Sequence, residues 1–268
     1  MPELPEITVL ARQMKAELIG KTITGMAILQ PKILNTSEEA FREALIGGRF
    51  LDVTHHGKWI VVHTTQGWFL LCLGMGGEVL LVKGDEFPEK RRLILDLDDG
   101  NHLVVNFWWF GYAHYAEHLA DHKMTAKLGP DALDLSLDAF HALLKGRRGG
   151  IKSFLLNQEH IAGIGNVYVQ DPLFKARIHP LRKINTLTDG EIEALWTALH
   201  DTLQESIDLG ASAWEMDLHG VKGRWDSSYF MVAYREGEPC PECGTAVVKI
   251  KTGSTSGFVC PQCQALND

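Results

Sequence analysis

Apolar residues return every three or four positions from Pro5 to Leu18 (Ile7, Leu10, Ala11, Met14, Leu18) and the pattern stops at Gly20, which predicts a helix. From Lys21 to about Tyr115 the period shortens. Thr22–Leu29, Trp59–His63, Trp68–Leu73, Glu78–Val82, Leu93–Leu97 and His102–Phe107 are short runs rich in β-branched, aromatic and aliphatic residues, separated by turn signals such as Asp98-Asp-Gly-Asn101. One helical stretch, Ser37–Leu45, interrupts them. The pattern predicts a β-sandwich or barrel with a leading helix. Leu128-Gly-Pro-Asp131 reads as a linker, after which the helical period returns over Ser136–Leu144, Lys152–Gln158, Asn166–Lys175 and Thr188–Leu209. Near the end, Val247-Val-Lys-Ile-Lys251, a turn-forming Thr-Gly-Ser-Thr-Ser-Gly and Phe258-Val259 read as a β-hairpin. The expectation is a multidomain α+β chain, divided into 1–128, 129–234 and 235–268.

At 268 residues the chain can bury a large core. No apolar run approaches the ~18 residues of a membrane span, and no signal segment opens the chain, so a cytoplasmic protein with no membrane partner is expected. The net charge of −8 hides an asymmetry. Lys145 to Lys183 carries eight Lys/Arg against two acidic residues, a balance of +6, which leaves −14 for the rest. A basic face on an acidic body fits contact with phosphates, and a solvated charged surface is the plainer alternative.

Four of the five cysteines fall as Cys240-Pro-Glu-Cys243 and Cys260-Pro-Gln-Cys263, sixteen residues apart, at the two ends of the expected hairpin. Two such pairs suit one tetrahedral Zn²⁺. Disulfides or a redox pair compete, but a cytosolic setting favours the metal. Cys72 sits in an apolar run and reads as a buried thiol. His114, His118 and His122 at four-residue spacing could share one helical face. Ile161-Ala-Gly-Ile-Gly-Asn166 separates two helices. Its glycines allow a tight turn, and Asn166 suits the N-cap of the next helix, where exposed N–H groups would favour a phosphate. An ordinary helix–helix corner explains the same residues.

The chain opens Met1-Pro-Glu-Leu-Pro-Glu6. Removal of the initiator methionine would give Pro2 a free secondary amine. An α-amino group has a pKa of roughly 7.7–8, so a useful fraction is neutral and nucleophilic at pH 7. Glu3 beside it is a candidate proton donor and acceptor. The alternative is an extended lead-in of the kind proline favours.

Taken in order, Pro2-Glu-Leu-Pro-Glu6, Leu73-Gly-Met-Gly-Gly77, Phe110-Gly111, Leu128-Gly-Pro130, Leu155-Leu-Asn-Gln-Glu-His-Ile-Ala-Gly-Ile-Gly-Asn-Val-Tyr168, Ile178-His-Pro180 and Glu236-Gly-Glu-Pro-Cys240 resemble the formamidopyrimidine-DNA glycosylase/endonuclease VIII family over nearly the whole length. Leu4 points to the formamidopyrimidine branch. The resemblance implies an N-terminal β-sandwich with a leading helix, a helical domain with a helix–two-turn–helix, and a C-terminal β-hairpin zinc finger holding one structural Zn²⁺ on Cys240, Cys243, Cys260 and Cys263. It implies a monomeric base-excision-repair enzyme, at the nucleoid through its DNA. Pro2 would attack C1′ of a flipped, damaged nucleotide, Glu3 would move protons, Glu6 would support them, and the imine would undergo β,δ-elimination. Lys58 and Asn166 match phosphate-binding positions. Met75 matches a residue that fills the gap left by the flipped base.

The chain departs from that pattern where DNA would be gripped. The family's Asp-Pro-Arg-Arg-Phe-Gly reads Asn106-Phe-Trp-Trp-Phe-Gly111 here. Trp108 stands for the arginine that hydrogen-bonds the orphaned base, and Phe110 follows it. Thr255 stands for the arginine of the zinc hairpin. Arg91 and Arg92 replace histidines after Pro-Glu-Lys, and Leu209-Gly-Ala-Ser-Ala-Trp214 replaces the segment that covers the damaged base. Met75, Arg91, Trp108, Phe110, Lys152, Asn166 and Thr255 are the expected DNA contacts. Pro2, Glu3, Glu6 and Lys58 are the expected catalytic set. A catalytically weak or inactive DNA-damage-binding paralogue is the alternative reading.

Overall fold

Glu3 caps the first helix: its N–H donates to Glu6 Oε2 at 2.8 Å, and Pro5 sits in the first turn where no N–H is needed. The computed structural model describes residues 1–84 and 86–266. Helix α1 (Leu4–Leu18) buries Leu4, Ile7, Leu10, Ala11, Met14 and Leu18. It packs on β2 (Phe50–His56) and β3 (Trp59–Thr64). The expected helix over Ser37–Leu45 is α2 (Glu38–Leu45), capped by the Ser37 hydroxyl, which accepts from the Ala40 N–H.

The β-rich region forms two four-stranded antiparallel sheets. One has the order β1 (Ile23–Ile28), β6 (Leu93–Leu97), β7 (Asn101–Asn106), β5 (Glu78–Lys83). The other runs β2, β3, β4 (Gly67–Cys72), β8 (Tyr112–Ala116). Phe50, Val53, Ile60, Val62, Phe69 and Leu71 from the second sheet meet Ile23, Leu95, Leu103 and Val105 from the first in one core. This is the expected sandwich, built by the alternation of inward apolar residues.

Two compact units divide the chain. The first holds Met1–Lys127 and Ile207–Arg224, the second Leu128–Ser206 and Trp225–Asp268. The first unit's leading segment ends at Lys127 and the second unit begins at Leu128. The return of 207–224 to the first unit has no local signature. Leu218 is fully buried in the sandwich core, its carbonyl accepts from the Leu81 N–H, and its own N–H donates to Gln13 Oε1.

The second unit contains α3 (Leu137–Leu144), α4 (Ile151–Leu155), α5 (Gln170–Lys175), α6 (Asp189–Asp208, which crosses into the first unit) and the hairpin β9 (Val248–Thr252) and β10 (Thr255–Val259). Asn166 is not an N-cap. Helix α5 starts four residues later, after Val169, because the Asn166 side chain is taken up by partners described below. The hairpin packs on α5 through Phe174, Val232, Val247 and Phe258. His114, His118 and His122 do not share a helical face: His114 lies in β8 and the other two flank a single 3-10 turn. His114 Nδ1 and His122 Nε2 are nevertheless 2.9 Å apart and buried, and burial holds the His114 pKa down to about 4 and also lowers that of His122.

Asp171 on α5 anchors the chain leading into the hairpin. One carboxylate oxygen accepts from the N–H groups of Val232 and Ala233 at 2.9 and 3.0 Å, the other from Met231 at 3.1 Å. Removing the carboxylate strands three buried or half-buried donors. Asp171→Ala should therefore lower the unfolding free energy by about 3 kcal/mol or more, measured by denaturant titration.

Candidate functional site

In the first unit, Pro2, Glu3 and Glu6 are all buried. Glu6 receives two backbone donors from distant parts of the sequence: Glu3 N–H on Oε2, and Ser212 N–H on Oε1 at 3.2 Å. One carboxylate thus fixes the chain's first turn against the 209–214 segment. That segment turns through Ala211, a non-glycine residue at φ 70°, and closes with Gly223 N–H donating to the Ser212 carbonyl. The amine of Met1 lies 3.4 Å from Glu215 Oε1. Burial raises the Glu215 pKa, the amine opposes this, and the Glu6 and Glu78 carboxylates add to it. Ser212 lies in the 209–214 segment that departs from the family's pattern, whereas Glu215 carried no signal in the sequence.

Lys58 stands half-buried in the turn between β2 and β3. Burial raises the Cys72 thiol pKa, while the Gly74 N–H and the Lys58 charge pull it down. Cys72 is partly accessible rather than fully buried.

Met75 and the 108–110 tip, far apart in sequence, are held together. Met75 N–H donates to the Trp109 carbonyl at 2.8 Å, and Trp109 N–H returns to Met75 at 3.4 Å. Gly74 permits this approach, since a Cβ there would lie 2.0 Å from the Trp109 oxygen, and its φ is +61°. Trp108, Trp109 and Phe110 are 70%, 54% and 63% exposed, with Phe110 at φ 57°. Successive rings meet edge to face at 6.4 and 6.1 Å. A cavity of about 260 Å³ beside Trp108 is lined by Gly76, Lys90, Arg92, Asn106 and Phe107 as well. Arg91 does not line that cavity. It donates to the Pro88 carbonyl and rests over the Phe87 ring.

In the second unit three expected contacts converge on one ammonium. Lys152 is 0% exposed, and its Nζ donates to Asn166 Oδ1 (2.8 Å), Thr252 Oγ1 (2.9 Å), Thr255 Oγ1 (3.0 Å) and the Ser256 carbonyl (2.6 Å). All four acceptors are neutral, and burial pushes the Lys152 pKa down to about 8. The enclosed ammonium is not posed for direct contact with a phosphate. It orients Asn166 instead, whose Oδ1 also accepts from Gln170 and whose Nδ2 reaches Tyr234 Oη at 3.1 Å. Thr255 contributes an acceptor to the cation, not a charge of its own. Thr252, Ser256, Gln170 and Tyr234 complete this network and were not legible as members of it.

Cys240 and Cys263 have Sγ atoms 3.9 Å apart, Cys243 and Cys260 3.4 Å, and all four lie within 4.8 Å of one another. Zn–S bonds of about 2.3 Å in a tetrahedron require S···S separations of about 3.8 Å. The four thiolates therefore fit one Zn²⁺. It is the one such grouping of three or more ligand side chains among the described residues.

Residues 1–107 match the model of the formamidopyrimidine-DNA glycosylase N-terminal domain, residues 128–217 that of the formamidopyrimidine-DNA glycosylase H2TH domain, and residues 237–266 that of a zinc finger found in FPG and IleRS. The chain belongs to the formamidopyrimidine-DNA glycosylase family. It is 37% identical over 273 residues to the formamidopyrimidine-DNA glycosylase of Chloroflexus aurantiacus, covering 98% of both chains. It is 34% identical to that of Pelotomaculum thermopropionicum, covering 98% of this chain and 99% of the relative. The structure of the MutM (Fpg) protein of Thermus thermophilus superposes with a TM-score of 0.87 at 28% identity, with full coverage of both chains. Lactococcus lactis Fpg in complex with DNA containing an abasic site gives 0.89 at 26% identity, covering 98% of this chain and 100% of that one. The four-cysteine cluster is thus the zinc site of this family's finger. No helix of the described residues is long and apolar enough to cross a membrane.

The hairpin is short, and its side of the core is small, so the metal supplies much of its folding energy. Cys260→Ser should lose stoichiometric zinc and loosen the hairpin, read by metal analysis and by proteolysis within 240–263. Full zinc content in that variant would overturn the four-cysteine assignment.

Proposed function

We propose that this chain is a DNA glycosylase and abasic-site lyase that acts through the amine of Pro2. The observation that carries this is the fixed chain end. Pro2 and Glu3 are buried, and Glu6 accepts from the Glu3 N–H and, on its other oxygen, from the Ser212 N–H, tying the chain end to the 209–214 segment. Such immobilisation would be wasted on a lead-in, and it suits a nucleophile that must meet one carbon of a flipped sugar. With Met1 removed, the amine lone pair forms a bond to C1′ while the base leaves, or meets the open aldehyde of an abasic site. Glu3 supplies and takes the protons. The sugar ring opens to an iminium that acidifies C2′; loss of the C2′ proton expels the 3′ phosphate, and loss of the C4′ proton from the resulting conjugated iminium then expels the 5′ phosphate. Solved relatives from Lactococcus lactis are bound to abasic-site DNA and to DNA containing Fapy-dG, which supports a ring-opened purine or an abasic site as substrate.

The chain grips DNA with unusual parts. Trp108 cannot read acceptors as an arginine does, since it has a single N–H. Its exposed ring, packed beside Gly76 in the loop that carries Met75, suits stacking in the gap left by the flipped nucleotide. Stacking contributes roughly 1–3 kcal/mol per base and tolerates every base, whereas a bidentate arginine discriminates by a similar amount. A DNA-damage-binding paralogue with weak or no excision is the second reading, favoured by the uncharged Thr255 and by Trp108.

Borohydride trapping decides between them. Protein with a proven Pro2 terminus should form a covalent adduct with abasic duplex, with similar efficiency opposite all four bases. Pro2→Gly should trap less, and Trp108→Arg should restore an opposite-base preference. No adduct on any abasic substrate would leave the binding paralogue.

The Lys152 network carries its own prediction. The ammonium is charged below about pH 8 and neutral above it. Duplex affinity should therefore weaken as pH rises through about 8, and Lys152→Met should be weaker throughout and lose this pH dependence, measured by fluorescence anisotropy at fixed salt.

A further inference from the structure

We propose that Glu215 is the proton acceptor of the N-terminal amine, holding the proton that Pro2 must lose before it attacks. This rests on the Pro2 reading above. Glu215 Oε1 lies 3.4 Å from the first nitrogen of the chain. The placement is built, because Ser212, three residues earlier, is tied by its N–H to Glu6, and Glu6 is tied to Glu3 N–H. Once Met1 is removed, the terminal charge moves to Pro2 nitrogen. Covalent geometry keeps that atom within roughly 3.7 Å of the former position. A glutamate side chain reaches it directly or through one water.

The other carboxylates near this point have different duties. Glu6 is committed to two backbone donors, and protonation would weaken its acceptance of them. Glu3 is the helix N-cap and the proposed proton shuttle on the sugar. The charged groups facing Glu215 are the terminal amine, Glu6 on α1 and Glu78 on β5. The two carboxylates and partial burial raise its affinity for a proton, while the amine lowers it. At rest the proton sits on nitrogen as an ammonium–carboxylate pair. In the reaction the N–H bond breaks, the proton passes to a Glu215 oxygen, and the freed electron pair forms the N–C1′ bond. No other reactant is needed. The 209–215 segment therefore carries part of the proton machinery as well as its backbone tie to Glu6.

The test is the pH profile of single-turnover borohydride trapping on abasic duplex, with the Pro2 terminus verified by mass. A neighbouring carboxylate raises an amine pKa, so Glu215→Gln should move the acidic limb of the profile down by about one pH unit. Loss of the proton acceptor should lower the plateau by about tenfold or more. Glu215→Asp, which keeps the carboxylate, should recover the limb and part of the plateau. NMR titration of the Pro2 nitrogen without DNA should show the same downward shift, whether or not the variant reacts. An unmoved limb and an unmoved Pro2 titration in Glu215→Gln overturn the proposal, even if the plateau falls, because a merely structural role would do that. Failure of the wild-type chain to trap overturns the Pro2 reading and this proposal with it. Trapping by wild type with an unchanged Glu215→Gln profile overturns this proposal alone.

Discussion

The second unit is organised around a buried cation that no carboxylate among the described residues neutralises. Lys152 Nζ is surrounded by four neutral oxygens, one from the turn after α4 and three from the two hairpin strands. Burying an ammonium is costly, and each partly negative oxygen offsets some of that cost without cancelling the charge. The arrangement therefore does two things at once. It ties the glycine-rich turn to the zinc hairpin, and it leaves a positive field beneath Asn166 and Thr255. A salt bridge would have given the first without the second.

The first unit uses the mirror image of that device. Glu6 is a buried carboxylate that accepts from Glu3 N–H and Ser212 N–H, joining the first turn of the chain to a segment about two hundred residues later. A backbone N–H is a fixed donor, so the carboxylate sets the position of main chain, not of a mobile side chain. This suits a site whose reactive atom is proposed to be the chain end, the part of most proteins that is least held. It also explains why 207–224 folds with the sandwich, with Leu218 in its core, and not with the helices that flank it in sequence.

The exposed tip of the first unit is apolar. Trp108, Trp109 and Phe110 present their rings to solvent, and the paired hydrogen bonds of Met75 and Trp109 hold the two loops as one body. Exposed aromatic rings in a row are unfavourable in water unless a partner covers them.

Much of this was written in the sequence. The helix over α1, the alternating strands of the sandwich, the cysteine spacing and the order of short motifs are local patterns, and local patterns follow from the periods of helix and strand and from ligand geometry. The candidate residues Pro2, Glu3, Met75 and Asn166 were legible for the same reason, as members of contiguous motifs. What the sequence could not assign was which distant groups meet. Nothing near Lys152 says that its ammonium is enclosed by Thr252, Thr255 and Ser256, so a lysine before a helix reads as a surface cation. Nothing near Asn166 says that Gln170 and Tyr234 claim its side chain, so it reads as a helix cap. Glu215 carries no motif at all, and long-range ties such as Glu6–Ser212 and Gln13–Leu218 bring it to the first nitrogen of the chain. Burial and long-range hydrogen bonding are properties of the folded chain as a whole, and they decided which of the legible residues reach solvent and which hold the others in place.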